Sequence, residues 1–514
     1  MTSPWWPSSA ARKGAPDETA PSPIRTDHHG PIPVVPRSTR GAPAHRVAGA
    51  GERRVMRRGR LWIAAVALVV AGGVIAAVVL LHRTPEWTTA SPEALREFQE
   101  GMNAEMKLYN REAIAHFKKA VELDPHFVMA RIRLAQVAPG VPRDEAVRKL
   151  RELLDSVDLR PLTPRERFLI RYLKARVDSH PDRAEELLDS YLARHPKDPF
   201  ALNLKAGIYW KTGELAKARA TYERLVKISP NWVVGYNSLG YIAMEQGDFD
   251  KSEENFTTYK FIAPDQANPM DSLGELYLLT GRYRKAVREF QGAIGIKHDF
   301  CASWDHLAMA YLLKGDDKAA RDLVDKARTE RPCSERWVRA LECNVELFPD
   351  ALAHRWRDLL DRAGEIGCDR AGLTSSDVLI HRASAMVGDL ERCDRIEQRW
   401  HELMDRPEGG EMAAIAGVML VHGAGVRAVA AHDLPAARKA FHRADGMLHY
   451  RGSGEGLFKL FNLACLAEVE GAMGNAAAEA KLVDAIGRVN PAMAAAYRSG
   501  HFRPFGLQEA SKGR

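Results

Sequence analysis

At 514 residues the chain is too long for one compact core, so it must divide into domains or grow as a repeat array. Apolar residues make up 46% and charged residues 27%, an ordinary globular balance that excludes a wholly disordered or wholly membrane-embedded protein. The formal charge is +7, and the first sixty positions alone hold eleven Lys and Arg against four Asp and Glu, so the charge sits on a tail and nucleic acid is set aside as a partner.

Residues 1–60 are rich in Pro, Ala, Gly and Arg without helical or strand period, which predicts a disordered basic tail. Leu61–Leu81 then runs for twenty-one residues without a charge, about 31 Å as a helix, matching a hydrocarbon core of about 30 Å. A membrane helix is expected over 61–82, retained as an anchor because a long extension precedes it and His82 and Arg83 follow it. Arg53, Arg54, Arg57, Arg58 and Arg60 crowd its N-terminal flank, which places the tail in the cytoplasm and residues 83–514 outside. In a Gram-negative bacterium this is a single-pass inner-membrane protein with a periplasmic body. Small residues four apart, Ala67/Ala71, Gly72/Ala76 and Gly73/Ala77, would let two such spans pack as a homodimer.

After a linker at 83–93, a period of thirty-four governs the chain. Pro196, Pro230 and Pro264 repeat at that interval, as do Leu239, Leu273 and Leu307, Gly247, Gly281 and Gly315, and Phe256 and Phe290. The clearest copy starts at Cys301 and carries Trp304, Leu307, Ala308, Tyr311, Gly315, Ala320, Ala327 and Pro332; the one before it has Leu273, Gly274, Tyr277, Gly281, Ala286, Phe290 and Ala293. This pattern resembles the tetratricopeptide repeat. The resemblance implies an all-α solenoid of helical hairpins with a concave inner face, in which each hairpin covers the bare face of its neighbour.

Copies are expected from Ala94 to Ser334, with a degenerate hairpin at 128–160 where the run PGVPRD falls. Residues 335–514 read as divergent hairpins and a cap, with Ala437, Phe441, Ala444, Leu466, Ala467, Gly474 and Pro491 echoing the pattern and RGSGEG at 451–456 as a break. No strand precedes that glycine run, which argues against a phosphate cradle. The segments LTPRERFLIRYLKA and YLARHPKDPFALNLKAGIYWKTGELAKA make the chain resemble the C-terminal part of bacterial one-pass regulators, without their cytoplasmic output domain.

In such a superhelix the first helices line the groove. Their fifth positions read Asn203, Asn237, Asp271 and Asp305, with Trp210, Tyr241, Met244, Met309 and Leu312 on the same surface. Asn amides can hold the backbone of an extended protein or peptide ligand, and the aspartates favour a basic one. The six cysteines, all beyond residue 300, lack CxxC spacing; they are buried thiols or, in an exported domain, disulfides expected as Cys333–Cys343 and Cys368–Cys393.

No metal, cofactor or nucleophile motif occurs, so no catalysis is expected; His381, Cys393 and His401 are the nearest to a candidate set. Two functions follow: a membrane-anchored protein-interaction scaffold or sensor, or a relative of a one-pass regulator whose output domain is missing.

Overall fold

A computed structural model describes residues 86–137, 143–368, 375–405 and 410–507. The expected tail, 1–60, and membrane helix, 61–82, lie outside the described residues. The described chain is all helical. Seven hairpins come first: α1 Pro92–Met106 with α2 Asn110–Leu123, α3 Val128–Val137 with α4 Arg143–Asp155, α5 Pro164–Val177 with α6 Pro181–Arg194, α7 Pro199–Lys211 with α8 Leu215–Ile228, α9 Val233–Glu245 with α10 Phe249–Ile262, α11 Ala267–Leu279 with α12 Tyr283–Ile296, and α13 Cys301–Lys314 with α14 Asp317–Glu330. The divergent part continues as α15 Glu335–Leu352, α16 Trp356–Ile366, α17 Ser375–Val387, α18 Leu390–Met404, α19 Gly410–Ala430, α20 Leu434–Met447, α21 Ser453–Ala472, α22 Ala476–Val489 and the cap α23 Pro491–Arg498.

Local chemistry sets these boundaries. Ser91, Thr163, Asp198, Asp248 and Asp316 cap helix starts by accepting a backbone N–H of the first turn. Gly213, Gly247, Gly281 and Gly315 sit between the two helices of successive hairpins at φ of 82, 77, 73 and 81°, a left-handed conformation that costs glycine nothing. Packing then repeats as well. A Cβ on Gly240 or Gly274 would lie 2.3 or 2.5 Å from the ring of Phe256 or Phe290, so the absent side chain is what lets the two helices of a hairpin meet. Gly425 meets Phe441 in the same way at 2.7 Å, which carries the device into the divergent half.

The linker starts ordered structure earlier than expected. Trp87 is buried edge-on against Phe98 and Phe200, and the Thr88 N–H donates to Glu166 at 2.8 Å. One helix among the described residues, α19, is long and apolar enough to cross a membrane, over Met412–Ala430. Half of it is buried, and Phe441 of α20 fills the space above its Gly425, so it serves as a core helix.

Among the described residues, the array winds until its first and last hairpins both touch the α11–α12 hairpin and the turn after it. From the N-terminal side, the Tyr109 hydroxyl accepts the Ala267 N–H at 3.1 Å and Arg111 pairs with Asp299 at 3.3 Å. From the C-terminal side, the Asn490 amide donates to the Leu279 carbonyl at 3.0 Å and accepts from Tyr283 at 3.2 Å.

The disulfides are Cys301–Cys333, with Cα atoms 6.1 Å apart, and Cys343–Cys368, at 5.8 Å. The expected Cys333–Cys343 and Cys368–Cys393 pairs are therefore wrong. In an antiparallel hairpin the start of the first helix meets the end of the second, which brings Cys301 at the start of α13 to Cys333, three residues past α14; Cys343, in the middle of α15, reaches Cys368, two residues past α16. Cys393 and Cys465 are buried free thiols.

Candidate functional site: an acidic inner face holding a segment of the same chain

The fifth-position stripe becomes a connected polar network. Asn237 and Asp271 are only 2% and 4% exposed, so in this conformation neither reaches a free groove. Asn237 Oδ1 accepts from Ser272 at 2.9 Å, and the Tyr241 hydroxyl lies between Ser272 Oγ, at 3.1 Å, and the Glu275 carboxylate. Asp271 accepts from the Ser303 hydroxyl at 2.6 Å and faces His306 Nδ1 at 3.1 Å, while His306 Nε2 is 3.6 Å from Glu275. Burial disfavours a charged His306, but Asp271 and Glu275 outweigh it and push its pKa up to about 10. Burial also raises Asp305 to about 6, against the donated indole N–H of Trp337 at 2.8 Å. Asn203 is half-buried, with an Oδ1 that has no partner among the described residues.

Two glutamates turn this network toward a ligand. Glu245 accepts the Trp210 indole N–H at 2.9 Å and, on its other oxygen, Arg451 Nε at 3.2 Å. Glu275 Oε1 accepts both the N–H and the O–H of Ser453, at 3.1 and 2.8 Å. Beside these anchors, the Tyr450 ring meets Phe249 edge-on; Leu448 and Gly452 have extended φ and ψ, and the chain bends at Arg451 and Gly452 before α21. Residues 448–453 thus form a short basic segment, contributed from the far half of the chain, lying on the acidic inner face. The expected break at 451–456 is real only to Gly452, because α21 already begins at Ser453.

Of the eight expected groove residues, Trp210 and Tyr241 hold the two glutamates, and Asn237 and Asp271 stand one layer behind them. Met244 is fully buried in the hydrophobic core. Asp305 and Met309 line a cavity of about 1220 Å³ between the repeat hairpins and the later helices, which Glu275, Arg451 and Ser453 also border. Sequence reasoning missed Glu245, Glu275, Ser272 and His306. A signal was present for two of them, since Glu275 falls thirty-four residues after Tyr241 and Ser272 thirty-four after Ser238.

The weak catalytic set does not assemble. Cys393 Sγ contacts the His381 backbone carbonyl at 3.6 Å, the His381 ring is engaged by Glu397 at 2.7 Å, and His401 is exposed. Burial pushes the Cys393 thiol up to about 11, the opposite of what a nucleophile needs. Among the described residues no group of three His, Cys, Asp or Glu is placed to hold a metal.

Comparison with known proteins gives one family match: residues 173–231 fit the tetratricopeptide repeat. No curated protein matches the sequence. Among solved structures, the chain is similar to PilW, a widely conserved type IV pilus biogenesis factor, at 15% identity over 48% of this chain and 97% of that one, with a TM-score of 0.29. It is similar to the Cut9–Hcn1 hetero-tetramer of the APC/C at 15% identity over 86% and 83%, with a TM-score of 0.39. A tetratricopeptide repeat protein from Parabacteroides merdae matches at 15% identity over 56% and 98%, with a TM-score of 0.29. None of these scores reaches a level at which function transfers. Residues 173–231 thus match the tetratricopeptide repeat, and the helical hairpins on either side continue their register.

Proposed function

We propose that this protein is a membrane-anchored interaction scaffold whose acidic inner face receives a basic, extended segment of a partner. Tetratricopeptide repeats imply protein binding. The observation that carries the finer reading is the occupied groove: Glu245 and Glu275 grip Arg451 and Ser453 of the same chain. A face that holds backbone N–H, hydroxyl and guanidinium groups in cis has the donors and acceptors to hold them in trans. The uncharged run at 61–81 and its arginine flank support an anchor with the tail in the cytoplasm. Two disulfides in the body support an oxidising compartment such as the periplasm.

The test is affinity capture from solubilised membranes, comparing the full chain with an Arg451→Ala/Ser453→Ala variant that loosens the internal segment. The variant should retain more of one defined partner, and an added Glu245→Gln/Glu275→Gln pair should abolish that gain. Equal retention by all three baits would refute the reading.

A further inference from the structure

We infer that the cavity between the inner face of the repeat hairpins and the later helices is a binding site for an apolar molecule with a single anionic head, which Arg382 receives. Glu275, Arg451 and Ser453 of the occupied inner face line the same cavity, so the two sites adjoin; Arg382 and the apolar walls, not that face, carry the inference. It starts from size: about 1220 Å³ exceeds the range of about 300–1,000 Å³ typical of small-molecule sites. The walls are mostly apolar and come from helices far apart in sequence, among them Leu313, Leu379, Met419, Phe458, Met493 and Phe502.

One wall residue has the wrong chemistry for a structural role. Arg382 lines the cavity, is 3% exposed, and has an Nε without a hydrogen-bond partner. Its one hydrogen bond among the described residues is a long contact of 3.5 Å to the Ala351 carbonyl, and it forms no ion pair there. The guanidinium instead lies over the rings of Trp356 and Phe461, at 5.2 and 5.0 Å. The acid whose field reaches it, Glu468, is engaged elsewhere by the backbone N–H groups of Phe505 and Leu507 at 2.8 and 2.6 Å. Burial lowers the Arg382 pKa only to about 10, so the group stays cationic at neutral pH. A buried cation without a counter-ion is costly, and an anion in the cavity beside it removes that cost.

The mouth fits a greasy entrant. Met404, Met412 and Met447 are three of the seven exposed large apolar side chains among the described residues. Met404 and Met447 line the cavity and converge on Gly417. Flexible thioethers form adaptable apolar surfaces. A fatty acid and a lysophospholipid with a phosphate head share the required chemistry.

The experiment uses the full chain in lipid nanodiscs with photoactivatable diazirine analogues of palmitic acid, lysophosphatidic acid and hexadecanol, mapping the labelled peptides. One of the two anionic probes should label α17, α19 or α21 at least about thirtyfold more efficiently than the alcohol, the scale of a buried charge pair. Preference for the fatty acid or for the lysophosphatidate identifies the head. Arg382→Met should erase that preference. Gly417→Leu should block all labelling while keeping Arg382, because a Cβ there meets Met404 and Met447 at ordinary contact distances of 3.7–3.9 Å. Equal labelling by acid and alcohol in the unmodified chain, or labelling confined to residues outside these helices, would overturn the inference.

Discussion

Removing the disulfides one at a time should expose how much of the later array depends on them. Cys301–Cys333 and Cys343–Cys368 span 32 and 25 residues of sequence. In the chain-entropy treatment of a cross-linked unfolded state, loops of that size correspond to about 3.7 and about 3.5 kcal/mol at 25 °C. Cys343 and Cys368 are 0% and 1% exposed, so replacing both by Ala also leaves a small void, which adds to the loss. Each double variant, Cys301→Ser/Cys333→Ser and Cys343→Ala/Cys368→Ala, should lose about 2–5 kcal/mol in urea titration followed by circular dichroism. Dithiothreitol should then shift the unmodified chain but barely affect a variant lacking all four cysteines. Neighbouring hairpins unfold semi-independently in a repeat array, so the loss should appear in the phase that reports on α13–α18. Tryptic mapping without reductant should recover the 301–333 and 343–368 cross-links. Recovery of 333–343 or 368–393, or losses under about 0.5 kcal/mol for both variants, a range typical of neutral surface changes, would refute this pairing.

Three further outcomes follow from the packing and electrostatics. Gly274→Ala places a Cβ 2.5 Å from the Phe290 ring and should destabilise by about 1–3 kcal/mol despite the better helix propensity of Ala; a thermal melt at or above the unmodified value would contradict the close-approach argument. His306 has a folded pKa raised from 6.5 to about 10, so the stability it contributes is complete below about pH 6.5 and disappears as pH rises through 10. A His306→Gln variant should flatten that part of the stability–pH profile, and an unchanged slope between pH 7 and 10 would count against the Asp271–His306–Glu275 bridge. Arg451→Glu sets like charges against Glu245 and should open the 448–453 segment to proteolysis; unchanged protection would show that the segment is held by something other than this pair.

The hairpin register was legible because small residues and aromatics recur where helices must approach, as at Gly274 and Phe290. It stayed partly legible even in the divergent half through Ala437, Phe441 and Ala444, whereas Gly425, which meets Phe441, was not legible there. Disulfide pairing was not, because spacing along the chain hides that Cys301 and Cys333 sit at the same end of one hairpin. The stripe was legible as a set of residues, of which Trp210 and Tyr241 hydrogen-bond Glu245 and Glu275. Its occupant was not, since Ser453 lies 178 residues from Glu275 and only the winding of the superhelix brings them together. The Arg382 cavity has no periodic signature either, as its walls come from helices in different repeats.

The central claim is that the acidic inner face holds an extended basic segment. The most direct test replaces residues 449–451 with glycine and serine in the full chain, then measures binding of a synthetic peptide with the sequence of residues 446–454 by fluorescence anisotropy. The account predicts saturable binding that weakens with salt and is lost when the arginine of the peptide is replaced by glutamate or when Glu245→Gln is introduced. Equal affinity for the arginine and glutamate peptides, or no binding to the opened chain, would contradict it.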